Sequence, residues 1–287
     1  MAEWDAEYAI DETALWRAAG SPAHWRRLGT GWDADAWLAD GAVVWRVARR
    51  RVGADALARE ARVMPALAPR LPVPAPVPAL VEAPGLPVLA RHALVAGHEP
   101  SGAELAGASP AFGAALGAFL RALHDPARVA ELGDALPRDP LGRADPARRI
   151  EMTHRRLADV ATLVDVAPLA AIADAAAGPP LAIESVCHGD LHSRHALVDD
   201  HGALAGVIDW GDACVGAPAM DFALLTALPP EARAACWRAY GREPTAAEWR
   251  HARLLGVMFG AALLAADVGG ASGAVARGWL ERLAAEP

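Results

Sequence analysis

The first clear pattern along the chain is an alternation. Over residues 28–48, LGTGWDADAWLADGAVVWRVA contains two β-like runs joined by Asp40-Gly41, a dipeptide suited to a tight hairpin turn. In the second run Val43, Trp45 and Val47 fall on one face and Val44, Arg46 and Ala48 on the other, because strand side chains alternate. Before this, the segment up to Ala19 has helical spacing, with Ile10, Leu15 and Trp16 on its apolar side. After it, residues 55–67 read as a helix that carries Glu60. The proline-rich APRLPVPAPVPALVEAPGLPVLARH then excludes a central helix and allows short edge strands near 77–81 and 88–92.

Beyond Gly97 the period changes to that of helices. Ser109-Pro110 is a good helix start, and Phe112, Leu116, Phe119, Leu120 and Leu123 form the apolar stripe of the helix it opens. Asp145-Pro146 opens a second helix, expected to reach about Val164. Two short strands, ALVD and LAGVID, flank a turn at 200–202, and from Pro218 onward the chain reads as helices with Pro and Gly breaks. No internal repeat is present. A β-rich first third joined to a helical remainder predicts an α+β protein of two lobes, divided as 1–96 and 97–287, with a hinge near 91–97.

Composition narrows the class. With 54% hydrophobic and 22% charged residues, the chain has material for a folded core and is poorly suited to disorder. No apolar run has the length a membrane helix needs, and the acidic opening MAEWDAEYAIDET lacks a secretion pattern, so no membrane partner and a cytoplasmic location are the expectations. Cys187, Cys214 and Cys236 are odd in number and widely spaced, which suits core thiols rather than disulfides or a zinc ribbon. A net charge of −8 without a basic block argues against nucleic acid. The chain has no lysine at all, so every fixed cation is one of 27 arginines and Schiff-base chemistry is excluded.

Against that background one stretch stands out. VCHGDLHSRHALVDDHGALAGVIDW places three histidines and an aspartate between His188 and His195. Transfer of a phosphoryl group to a hydroxyl needs a carboxylate to orient the attacking O–H, ligands for a divalent ion and a cation against the remaining charge. Asp190 lies in a loop five residues before His195, and Asp209 is the next carboxylate after an apolar strand. Arg46, on its strand, is one helix away from Glu60 and able to pair with it.

These residues resemble the signature of the aminoglycoside phosphotransferase family, antibiotic kinases with a protein-kinase-like fold, including members that act on macrolides. HGDLHSRH followed by VIDWGDACVGAPAMD is similar to that family's catalytic loop and later metal-binding element. The resemblance implies that Asp190 is the catalytic aspartate, that His195 and Asp209 ligate Mg²⁺ or Mn²⁺, and that ATP or GTP is the phosphoryl donor. It also implies that His188 is structural, that Asp221 braces the catalytic loop, that Arg46 replaces the usual phosphate-binding lysine, and that Glu60 is its partner. Backbone groups of Arg91, His92 and Ala93 fall where the family binds the base, and Gly29 and Gly31 remain from a glycine-rich loop. Ala217 departs from the family's usual aspartate, and His195 stands where asparagine is commoner.

The acceptor implied is a hydroxylated small molecule, an antibiotic whose modification confers resistance. The acidic charge favours a cationic one, an aminoglycoside or a tuberactinomycin-type cyclic peptide, with Asp212, Glu231, Asp267 and Glu281 as candidates for holding ammonium groups and His192 and Arg194 near enough to touch substrate. The apolar GVMFGAALLAA equally suits a macrolide site, and a metabolic alcohol is a further alternative. Two more distant readings stand beside these. H-x-D-x-H-x-x-H also reads as the zinc cluster of a hydrolase, though His92, His98, His124 and His251 supply no paired spacing for further ligands. The missing lysine would also suit a nucleotide-binding pseudokinase, against which the intact Asp190 and Asp209 argue.

Overall fold

The structure is a computed structural model and describes residues 6–286. Two compact units are present. The first runs from the start of the described chain to Arg70 and takes in Pro74–Val95 and Asp209–Asp212. The second comprises Leu71–Val73, Ala96–Ile208 and the chain from Ala213 onward.

The first unit opens with helix α1, Glu12–Ala18, whose N-terminal amides of Thr13 and Ala14 donate to the Asp11 carboxylate. The part of the expected opening helix at residues 1–5 lies outside the described residues. Strands β1 (Trp25–Thr30), β2 (Ala34–Ala39) and β3 (Val43–Ala48) follow, then helix α2 (Arg51–Leu67) and strands β4 (Ala79–Val81) and β5 (Leu89–Ala93). They form one antiparallel sheet in the order β1-β2-β3-β5-β4. Asp40 and Gly41 both adopt left-handed φ, 48° and 71°, which reverses the chain between β2 and β3. Trp45 and Val47 pack with Leu15, Trp37 and Leu89, while Ala48 joins Leu57 of α2 on the opposite face. That opposite face is the one from which Arg46 projects.

Three expectations need correction. β1 precedes the two strands read from the alternation; its register shifts between Arg27 and Gly29, which interrupts the period-two pattern. Of the two strands expected at an edge, only β4 is one, since β5 pairs with β3 on one side and β4 on the other. The prolines stop at Pro87, so Leu89–Ala93 keeps every backbone donor that an interior strand needs. Helix α2 begins at Arg51 rather than near residue 55.

The second unit is mainly helical: α3 (Gly102–Ala106), α4 (Pro110–Leu123), α5 (Pro126–Leu132), α6 (Pro146–Val160) and α7 (Ala167–Asp174). Four short strands follow, β6 (Ser185–Cys187), β7 (Ala196–Val198), β8 (Leu204–Val207) and β9 (Cys214–Gly216), then α8 (Pro230–Tyr240), α9 (Ala246–Ala266) and α10 (Ala271–Ala285). The β7–β8 hairpin matches the sequence pattern, whereas the β6–β9 pair was not legible, because its two three-residue strands lie far apart in the chain. Ser109 caps α4, whose predicted stripe is fully buried. Helix α6 stops at Val160, four residues short of expectation, where Leu163 and Val164 turn back onto the Val160 carbonyl.

The apolar run in α9 is core. Val257, Met258, Phe259, Ala261, Leu263 and Leu264 are all buried, with α9 packed against α6 and α10. All three cysteines are free and buried. Among the tryptophans, Trp37, Trp45, Trp210 and Trp279 are buried, while Trp16, Trp25, Trp237 and Trp249 are half-buried. Among the described residues no helix is long and apolar enough to cross a membrane.

Candidate active site

Within the first unit the charges meet around Arg46. Leu57, Glu60 and Met64 recur at helical spacing on the buried side of α2, so Glu60 is carried to the sheet by the same face that builds the core. Its carboxylate is fully buried and accepts both hydrogen bonds from Arg46 Nη1, at 2.8 and 2.7 Å. Arg46 Nη2 donates to Asp209 Oδ1 at 2.8 Å. Burial works against the Arg46 charge, but Glu60 and Asp209 hold the guanidinium above its ordinary range. Burial pushes the Glu60 carboxyl up to about 7 against the pull of Arg46. Asp209 itself has left-handed φ, 63°, a conformation aspartate tolerates better than most side chains, and its carboxylate is 45% exposed. Arg59 Nη1 donates to the carbonyl of Gly211, fixing the turn after Asp209.

In the second unit the loop after β6 is built on Asp221. This fully buried carboxylate accepts from the amides of His188 and Gly189, both at 2.8 Å, and lies 3.0 Å from His124 Nε2. His124 Nδ1 in turn faces the Tyr240 hydroxyl at 3.0 Å. Gly189 takes φ 84°, a left-handed turn that glycine adopts without strain. His188 donates from Nε2 to the Ile208 carbonyl at 2.9 Å, and burial pushes its imidazole below the ordinary range, keeping it neutral. The start of the loop is therefore held through both its main chain and the His188 ring.

Asp190 projects from this loop with a side chain 20% exposed. Arg143 Nη1 donates to the Gly189 carbonyl at 2.6 Å and Arg143 Nη2 to Asp190 Oδ1 at 3.1 Å. Asp190 Oδ2 lies 3.6 Å from His192 Nε2 and 3.8 Å from His195 Nδ1, ion-pair distances rather than hydrogen bonds. Burial pushes the Asp190 carboxyl up, and Arg143 first, then His192 and His195, overcome it and hold the group well below the usual carboxylate range. His195 Nδ1 donates to the Asp190 carbonyl at 2.8 Å. That bond makes Nε2 the unprotonated nitrogen, the form in which imidazole ligates a metal.

The remaining candidates fall elsewhere. Gly31 N–H donates to the Ala34 carbonyl at 2.9 Å, closing the β1–β2 turn, and Arg49 Nη1 donates to the Gly31 carbonyl at 2.7 Å. Gly31 N–H is thus committed within the turn, and Gly29 is part of β1. On β5, Arg91 is paired with both Trp45 and Ala79, whereas the β4 pairing among the described residues ends there and His92 and Ala93 run past it. Arg194 pairs with Glu99 at 3.2 Å, and Asp267 accepts from Gly273 N–H at the start of α10, so both have structural partners. Asp212 closes the turn that starts at Trp210. Glu231 and Glu281 are exposed on α8 and α10.

The donor atoms of Asp190, His192 and His195 lie within 4.8 Å of one another, so the zinc reading has three potential ligands. The third histidine of the motif, His188, is committed to Ile208, and the Arg143 guanidinium bonded to Asp190 works against a dication on that carboxylate. Arg143, His124 and Tyr240 were missed from sequence. Each comes from a helix start or helix remote from the loop, and no local spacing points to them.

A carboxylate on a braced loop, paired with an arginine and flanked by two histidines, is an arrangement that phosphoryl transfer to a hydroxyl can use. A family model described as the phosphotransferase enzyme family (APH) matches residues 24–255, and the chain belongs to that family. Among solved structures it is similar to the GDP and kanamycin complex of APH(2")-IIia, at 20% identity and TM-score 0.66 over 95% of this chain and 96% of that one. It is also similar to the macrolide 2'-phosphotransferase MphH from Brachybacterium faecium, at 26% identity and TM-score 0.60 over 93% and 98% of the two chains. The uncharacterized protein YcbJ of Bacillus subtilis (strain 168) is 50% identical over 40 residues, a match spanning 14% of this chain and 13% of that protein.

Proposed function

We propose that the protein is a nucleoside-triphosphate-dependent O-phosphotransferase that phosphorylates a hydroxyl of a small-molecule antibiotic. The observation that carries the reading is Asp190: a carboxylate kept ionised by Arg143 on a loop braced by Asp221, with Oδ2 clear of short hydrogen bonds. Oδ2 accepts the acceptor's O–H and aligns its oxygen for in-line attack. An aspartate this acidic is a feeble base toward an alcohol, so its contribution is orientation more than early proton removal. Arg46, held by Glu60, binds donor phosphate oxygens in the lysine's place.

Asp209 in the first unit and His195 in the second each present a donor suited to a divalent cation, an exposed carboxylate and an unprotonated Nε2. Such a cation, Mg²⁺ or Mn²⁺, would neutralise charge on the donor phosphates. ATP and GTP are both candidate donors. The resemblance and the family membership support these roles for Asp209 and His195.

For the acceptor, the net charge of −8 favours a cationic antibiotic, an aminoglycoside or tuberactinomycin-type peptide. A macrolide is the second reading, supported by the 26% identity to MphH. The apolar α9 residues do not add to it, because the core already uses them. A coupled nucleotide-turnover screen with ATP and GTP against aminoglycosides, cyclic peptides, macrolides and metabolic alcohols tests this. The expected result is one class that gains a phosphoryl group by mass, with Asp190→Asn lower in turnover by on the order of 10²–10⁴-fold while still folded. Near-normal turnover in Asp190→Asn, or none in the wild type with any acceptor, refutes the reading.

A further inference from the structure

The group that sets the Asp190 carboxylate is not on the catalytic loop. Arg143 lies just before α6, and its main chain is held independently of its side chain. Arg143 N–H donates to Asp139 Oδ1 at 2.7 Å, Ala144 N–H to Asp139 Oδ2 at 2.9 Å, and His251 Nε2 donates to the Arg143 carbonyl at 2.7 Å. The guanidinium, 11% exposed, lies over the Phe259 ring at 5.7 Å and His192 meets the same ring edge-on at 5.7 Å. A planar fork can bond a carbonyl and a carboxylate one residue apart in fixed geometry; an ammonium cannot reproduce both.

We propose that Arg143 is a positioning residue for phosphoryl transfer: by bonding the Gly189 carbonyl and Asp190 Oδ1 together, it fixes the carboxylate rotamer so that Oδ2 alone meets the acceptor hydroxyl. This rests on the phosphotransferase reading above. In this role Arg143 acts on neither the nucleotide nor the acceptor directly. Its effect passes through Asp190, and a carboxylate left to rotate lets the hydroxyl drift from the line of attack, where misplacement by about 1 Å costs on the order of 10²-fold.

The test compares Arg143→Ala, Arg143→Lys and wild type with the acceptor found in the screen. In Arg143→Ala, kcat should fall by on the order of 10²-fold with KM for the nucleotide unchanged, the signature of an interaction felt in the transition state. Free guanidinium ion at a sub-denaturing concentration should restore part of that loss, and Arg143→Lys should recover less than the full rate. Wild-type kcat in a folded Arg143→Ala, a change confined to KM, or a kcat loss that guanidinium leaves untouched overturns the proposal. If Arg143→Ala does not fold, the Lys variant decides: its kcat must fall at constant KM. Where the wild type phosphorylates nothing, it is the functional reading that fails, and a crystal structure of the variant still judges the pair, an unmoved Asp190 carboxylate being the adverse result.

Discussion

His195 shows how a single hydrogen bond selects chemistry. Its Nδ1 proton points at the Asp190 carbonyl, 2.8 Å away, and the tautomer this selects is the ligand form at Nε2. Imidazole suits Mn²⁺ better than Mg²⁺, which prefers oxygen donors. Replacing His195 by Asn should therefore shift the ratio of Mn²⁺- to Mg²⁺-supported turnover toward Mg²⁺; an unchanged ratio from metal titrations of both proteins removes the histidine from the ligand set. Arg46 teaches the complementary lesson. In a chain without lysine the cation proposed to bind phosphate is an arginine, and its second nitrogen lets it bond Glu60 and Asp209 at once. That double pairing depends on side-chain geometry, which strand alternation does not reveal.

At the scale of elements, the packing of α4 on α8 relies on close backbone approach. A methyl group at Gly113 would collide with the Ala232 carbonyl and one at Gly117 with that of Cys236, so the α8 backbone packs directly on the two glycines of α4. Gly113→Ala should destabilise the protein by about 1–3 kcal/mol through overpacking. Denaturant unfolding measures this, and a loss below a few tenths of a kcal/mol would show that α8 can shift aside. The effect matters for the site because His124 on the C-terminal end of α4 and Tyr240 at the end of α8 form the chain of contacts behind Asp221. The α4 stripe and its Ser109 cap were legible, since both obey local rules. The partner of that helix was not, because nothing in the spacing of glycines 113 and 117 names α8.

For the whole molecule, burial of titratable groups sets the acid response. His188 and His251 are both fully buried and held below the ordinary imidazole range by that burial. Below about pH 6.5 the unfolded chain takes up protons at these positions more readily than the folded protein, so each lowers stability as the pH falls, by at most about 1.4 kcal/mol per pH unit. Glu60, raised to about 7, has the opposite sign, since its folded carboxyl gains a proton before the unfolded one does. Two histidines outweigh one carboxylate. Stability from denaturant midpoints should decline between pH 6.5 and 5, and Glu60→Gln should steepen the decline; a flat or rising profile contradicts the burial argument.

What the sequence determined alone was local: the β2–β3 hairpin from alternation and Asp40-Gly41, the α4 stripe and the β7–β8 pair. Each depends on spacing within one element, where the periods of helix and strand act directly on the chain. Tertiary structure decided the rest. It carried Asp209 out of the C-terminal half into the first unit beside Arg46, and Arg143 from a helix start to Asp190, over 163 and 47 residues of chain. Such contacts form because buried charges must find partners in the folded interior, and the positions of those partners follow from packing, on which sequence period is silent.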